Sequence, residues 1–198
     1  MSEKPFSQAC ENNQKAILAH LQAAFSDCKT VLEIGSGTGQ HAVYCAPRLP
    51  HLSWQTSDQA EYHLGINAWI DSMPAANLHR PLVLNVDMPT WPLESVDGIF
   101  TANTCHIMAW ESVENMFRRL ALLLKSGGML VIYGPFNYGG EFTAPSNANF
   151  DAYLKQRATH QGVRDFESVD ALAKAAGLTL LEDNAMPANN RLLVWRKA

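Results

Sequence analysis

A single α/β domain with a mostly parallel sheet and helices on both faces is predicted by three features of this chain. Strand-like and helix-like runs alternate from about residue 29 to residue 177. The first strand passes through a glycine turn into a helix in "VLEIGSGTGQHA", Val31 to Ala42. The stretch "LTLLEDNAMPANNRLLVWRK" holds two strand-like runs joined by a short polar turn. A parallel pair needs a crossover of about a dozen residues or more, so these last two runs must be antiparallel neighbours.

Taken in order, "CENNQKAILAHLQAAF" is an amphipathic helix, with Ile17, Leu21 and Phe25 at helical spacing. "KTVLEIG" is the first strand, and "GQHAVYCA" is the helix after the turn, stopped near Pro47. "HLSWQTSD" is a second strand ending at Asp58, followed by a helix in "AEYHLGINAWIDSM". "RPLVLNVD" is a third strand ending at Asp87, and "VDGIFTAN" a fourth ending at Asn103. "ESVENMFRRLALLLKSGG" is a helix with Val113, Met116, Leu120 and Leu123 on one face and Gly127 as its C-terminal cap. "GMLVIYGPF" is a fifth strand. Residues 137–165 are an irregular insertion with a short helix in "SNANFDAYLKQR", and "FESVDALAKAAG" is the last helix. The terminal hairpin brings the sheet to seven strands, one of them reversed.

The length of 198 residues suits one domain, 1–198, with a well-buried core. Its first 28 residues form a helix over the site, and the insertion 137–165 is a lid. A net charge of −4 provides no general attraction to nucleic acid or anionic lipid, so neither partner is expected. The start, "MSEKPFSQACENNQ", lacks the apolar core of a signal peptide, and no apolar run nears the roughly 20 residues of a membrane span. A cytoplasmic protein is expected. The four cysteines are scattered without a CxxC, and no histidine pair has ligand spacing, so no metal site is expected.

In open α/β sheets, ligands bind beyond the carboxyl ends of the strands. Gly35, Gly37 and Gly39 stand there with Ser36 between them. A dinucleotide loop reads GxGxxG, whereas here the third glycine comes one residue early and Gln40 takes its place. Glu33 precedes the loop, and a carboxylate repels a pyrophosphate but favours a cationic ligand. S-adenosylmethionine carries an ammonium and a sulfonium and no phosphate, and it fits this pattern as cofactor. Asp58 follows nineteen residues after Gly39, where a carboxylate can accept from both ribose hydroxyls. Asp87, with Met88 beside it, falls where an adenine edge would lie; Asp87 alternatively caps the turn "DMPTWP". Asn103 either touches the methionyl group or forms a turn.

"VLEIGSGTG", Asp58, "NVD", "FTAN" and "LLKSGGMLVIYGPF" resemble the successive motifs of class I S-adenosylmethionine-dependent methyltransferases. The resemblance spans roughly residues 29 to 198. It implies a Rossmann-like methyltransferase fold whose seven-stranded sheet ends in an antiparallel hairpin. More narrowly, "IGSGTGQHAVYCA", "APSNANFDAYL" and "EDNAMPANNRLLVWRK" resemble a small methyltransferase-like family catalogued as a domain of unknown function. That family carries an Arg-Asn pair near its N-terminus, where this chain reads Asn12-Asn13.

Methyl transfer needs positioning above all, and a base only where the acceptor must lose a proton. "ANTCHIMAW" after the fourth strand lacks the Asn-Pro-Pro-aromatic run of enzymes that methylate adenine or glutamine amino groups. His106 lies just beyond Asn103, and is either the base or a hydrogen-bonded histidine at a helix start. Tyr133, Tyr138 and Glu141 flank the exit of the fifth strand. A methyltransferase for a small-molecule acceptor is the expectation. The alternatives are a nicotinamide-dependent oxidoreductase and a non-catalytic module that keeps the fold to bind cofactor or partner.

Overall fold

A computed structural model describes residues 4–198. Nine strands are formed among them: β1 (Thr30–Ile34), β2 (Ser53–Asp58), β3 (Leu78–Val83), β4 (Val96–Ala102), β5 (Leu124–Gly134), β6 (Phe136–Asn137), β7 (Arg164–Asp165), β8 (Leu178–Met186) and β9 (Asn190–Lys197). Seven of them make one sheet in the order β3-β2-β1-β4-β5-β9-β8. The β1–β5 pairings are parallel, and β9 runs antiparallel to both β5 and β8. The order reverses between β1 and β4, which is where an open sheet of this kind opens its crevice.

Helices α1 (Gln8–Ala24), α2 (Gln40–Cys45) and α3 (His63–Ser72) cover one face; α4 (Trp110–Leu123) and α6 (Phe166–Ala175) cover the other. Because strand side chains alternate, each central strand feeds both cores. Val31, Phe100, Val131 and Val194 face the α1 side, against Ile17, Leu21 and Phe25. Leu32, Ile99, Leu130 and Trp195 face the α4 side, against Val113, Phe117 and Leu120. Burial on both faces explains why these strands read as continuous apolar runs.

Element boundaries shift from the sequence expectation at several places. The third strand ends at Val83, not Asp87; the Leu84 amide makes one more bond, to the Asp58 carbonyl (2.9 Å), before the chain turns away. Gly127 does not cap α4. The chain leaves that helix at Leu124 directly into β5, and Gly127, at φ +76°, belongs to a bulge that sets Val96 opposite Leu124 and Gly98 opposite Met129. The insertion, in turn, is not closed by loops alone. Its ends are clamped by a second, two-residue parallel sheet, Phe136 and Asn137 beside Arg164 and Asp165. Between them stands α5 (Pro145–Arg157), longer than the sequence predicts at its start by one residue.

The N-terminal segment is strapped down. Ser7 caps α1 by accepting from the Cys10 amide (3.3 Å), and the Ser7 backbone is gripped at both its polar groups by the Gln40 amide, at 2.6 and 3.3 Å. Trp69 Nε1 donates to the Pro5 carbonyl (2.6 Å). Gln40, the residue that breaks a dinucleotide fingerprint, therefore holds the start of α1 over the glycine turn.

Candidate cofactor and acceptor site

The turn after β1 is compact: the Ser36 amide donates to the Ser57 carbonyl (3.0 Å) and the Gly39 amide to the Ser36 carbonyl (2.8 Å). Its glycines answer different demands. A Cβ on Gly35 would lie 2.6 Å from Thr104 Cγ2, and one on Gly39 would lie 3.1 Å from Ile66 Cα, so these two admit the β4 loop and α3. At Gly37, with φ +59°, a Cβ would meet nothing closer than the Gly35 carbonyl at 4.0 Å, and the residue faces open space. That space is a cavity of about 1030 Å³, at the top of the range of roughly 300–1,000 Å³ that small-molecule sites span.

Glu33 is buried beneath the turn and off the cavity wall. One carboxylate oxygen accepts from Ser36 Oγ (3.0 Å) and Trp54 Nε1 (3.1 Å). Burial pushes its pKa up to about 7, against the pull of those two donors. Ser36 does reach the wall, so the charge of Glu33 acts on the cavity through one hydroxyl. Asp58 is on the wall, with its oxygens accepting from the Gly37 amide (2.7 Å) and the Gln59 amide (2.8 Å). Burial raises its pKa while these amides hold it down. Each oxygen keeps a second lone pair for a ligand hydroxyl.

Asp87 also reaches the wall, yet its carboxylate is turned to α4, accepting from Ser112 Oγ and Asn115 Nδ2, both at 2.8 Å. It ties the β3–β4 loop to that helix. Met88 sits in the turn behind it, its sulfur accepting from the Asn85 amide (3.4 Å), and does not line the cavity. Gly39 is off the wall too, because it is the packing glycine against α3. Asn103 is a turn residue at φ +59°, donating its amide to the Tyr133 carbonyl (2.8 Å), and it also lies on the cavity wall.

The cavity continues past Asn103 to His106, which is 5% exposed and makes no side-chain hydrogen bond among the described residues. Phe150 of α5 meets its ring edge-on at 5.3 Å, so the insertion does reach over this end. Burial, with the nearby Arg164 guanidinium, lowers the His106 pKa to about 4. The imidazole is neutral at neutral pH, with a lone pair to accept a proton.

Several wall residues carry no local sequence signal. Asn13, buried on α1, meets His41 Nε2 at 2.7 Å through its Oδ1. The Cys10 thiol lies 3.9 Å from His41 Nδ1. Burial lowers the His41 pKa to about 4, and it too is neutral. Of the Asn12-Asn13 pair, both reach the wall and Asn13 is the buried member. The β8–β9 turn also joins the wall through Pro187, Ala188 and Asn190. Tyr138 points elsewhere, its hydroxyl donating to Asp183 (2.8 Å), and Glu141 bridges back to Tyr138 through the backbone; neither lines the cavity.

The residues present fit S-adenosylmethionine: a bare glycine turn, an acid at the end of β2, a buried acid beneath the turn and a cavity long enough to lead on to an acceptor. Solved structures with the same fold support the comparison. An O-methyltransferase family protein from Burkholderia thailandensis superposes with a TM-score of 0.80 at 17% identity, over 93% of this chain and 58% of that one. An O-methyltransferase family 2 protein from Planctomyces limnophilus, in complex with apigenin, reaches 0.84 at 16% identity, over 96% and 58%. Human N-acetylserotonin methyltransferase, in complex with S-adenosylmethionine, reaches 0.79 at 16% identity, over 96% and 53%. The chain thus spans a little over half the length of these proteins, and shares with them the methyltransferase fold. Over residues 4–197 it matches the profile of a family described as "Protein of unknown function (DUF938)". It belongs to that family.

Proposed function

We propose that the protein is an S-adenosylmethionine-dependent methyltransferase for a small-molecule acceptor, with His106 as the base. The observation that carries this reading is the continuity of one cavity, from Gly37 and Asp58 at one end to His106 under Phe150 at the other. When bound, S-adenosylmethionine supplies a methyl group activated by its sulfonium. Gly35, Ser36 and Gly37 would bring backbone against it, Asp58 would accept from its ribose, and Asn103, Asp87 and the buried charge of Glu33 would complete the cradle. The neutral His106 imidazole takes the proton that the acceptor's nucleophilic atom releases as it gains the methyl group. Phe150 and the clamped insertion exclude water from that atom and hold it in line, where positioning supplies several kcal/mol. Incubation of the protein with methyl-labelled S-adenosylmethionine and a fractionated cell extract tests the proposal. Label in a small-molecule fraction, lost in Gly37→Val, is the expected result; label in no fraction, with the cofactor bound, points to a non-catalytic module instead.

A further inference from the structure

We infer that the acceptor carries an anionic group, such as a carboxylate, at the end away from the methylated atom, and that Arg157 receives it. The inference rests on the methyltransferase reading and names the substrate class of the same site. It starts from how charge is divided along the cavity. Both wall carboxylates, Asp58 and Asp87, belong to the cofactor end. Arg157, in the last turn of α5, is the one Lys or Arg on the wall among the described residues. It forms no ion pair among them; its guanidinium rests only loosely over the Tyr153 ring, at 5.8 Å.

A second cation, Arg164 of β7, lies near His106. Arg164 is spent on backbone carbonyls, donating to Cys105 (3.0 Å), His160 (2.8 Å) and Met108, so it holds the His106 loop to the insertion without losing its charge to a bonded carboxylate. The nearest acid of α5, Asp151, is already matched by Lys155 at 2.6 Å and by the Val163 amide at 2.9 Å. The wall at the acceptor end therefore presents the exposed Arg157 and no carboxylate, while Asp151 and Glu111 offset the charge of Arg164 behind it. Gln161 sits on the same wall with its side-chain carbonyl oxygen buried and without a hydrogen-bond partner. It marks a place for a ligand donor beside the cation. Phe150 supplies an apolar wall beside His106. A planar body with a hydroxyl toward His106 and an anion toward Arg157 matches these two groups, and a guanidinium binds a carboxylate with charge-assisted, often bidentate bonds.

The test titrates 4-hydroxybenzoate and 4-hydroxybenzamide, alike in shape and different in charge, into the protein saturated with S-adenosylhomocysteine. Benzoate and benzamide form a second pair. We expect each carboxylate to bind at least about tenfold tighter than its amide. We expect Arg157→Gln to erase the preference to within about twofold while leaving S-adenosylhomocysteine affinity unchanged. A preference that survives Arg157→Gln, equal affinities within both pairs, or no binding of either carboxylate overturns the inference. So does a large loss of S-adenosylhomocysteine affinity in Arg157→Gln, which would assign the arginine to the cofactor. Failure of the wild type to bind S-adenosylhomocysteine would instead sink the methyltransferase reading, and the same pairs titrated into the ligand-free protein still report on Arg157.

Discussion

Glu33 is held where the folded state disfavours its charge, and this has a measurable consequence. Its pKa rises from an ordinary 4.5 to about 7 because the carboxyl is fully buried, with only Ser36 and Trp54 donating to it. A group whose folded pKa is raised stabilises the fold fully below its unfolded pKa, and that contribution is lost as pH rises through the folded pKa. The window here is therefore pH 4.5 to about 7, and at roughly 1.4 kcal/mol per pH unit the loss is about 3 kcal/mol. Glu33→Gln is nearly isosteric. Its amide oxygen can take the place of the carboxylate oxygen that receives both donors, and no other hydrogen bond to that side chain is broken. Urea unfolding of wild type and variant without cofactor isolates the effect, since other titrating groups cancel in the difference. The variant should match the wild type near pH 4.5 and exceed it by about 3 kcal/mol at pH 8. A variant equal to or less stable than wild type at pH 8 would refute the account of Glu33 as a buried charge kept for the ligand.

Asp58→Ala should weaken cofactor binding by roughly 1.5–3 kcal/mol, about ten- to 150-fold in Kd, and also loosen the turn by freeing the Gly37 amide; an affinity within about twofold of wild type removes Asp58 from the site. In wild type, affinity for S-adenosylmethionine relative to S-adenosylhomocysteine should rise between pH 6 and pH 8 as Glu33 becomes charged, and Glu33→Gln should flatten that rise. His106→Ala should lower turnover about a hundredfold or more with cofactor affinity nearly unchanged. Because the His106 pKa is lowered to about 4, wild-type turnover should show no His106-dependent limb between pH 6 and 8; a limb near pH 6.5 that disappears in the variant would contradict its burial. Cofactor and acceptor together should protect the amides of residues 137–165 from hydrogen exchange more than cofactor alone, and equal protection would reject a closing role for α5.

The parts legible in the sequence are those set by local pattern. Near-continuous apolar runs in β1, β4 and β5, the glycine turn and the short link between β8 and β9 each carry their meaning within about ten residues. Asp87 misled because an apolar run continues through Leu84 and Val86, although pairing with β2 stops at Val83 and those two side chains simply pack beside the sheet. Gly127 misled because a left-handed glycine serves a helix cap and a bulge equally well, and only the register between β4 and β5 decides. Glu33 was legible as an acid of the site, but its burial beneath the turn depends on Trp54, 21 residues away. The rest of the cavity's surroundings was the least legible. Asn13 finds His41 across 28 residues, and Arg164 finds Cys105 across 59. Such pairings have no period and no motif; they are made by topology.

Calorimetric titration of the purified protein with S-adenosylmethionine, S-adenosylhomocysteine and NAD tests the central claim most directly, because the same glycine turn must choose among them. The account predicts one site for either of the first two, no binding of NAD, and loss of binding in folded Gly37→Val, whose Cβ and branched side chain would enter the space that only a glycine at φ +59° leaves open. Binding of NAD in place of S-adenosylmethionine, or unchanged affinity in the folded variant, would contradict it.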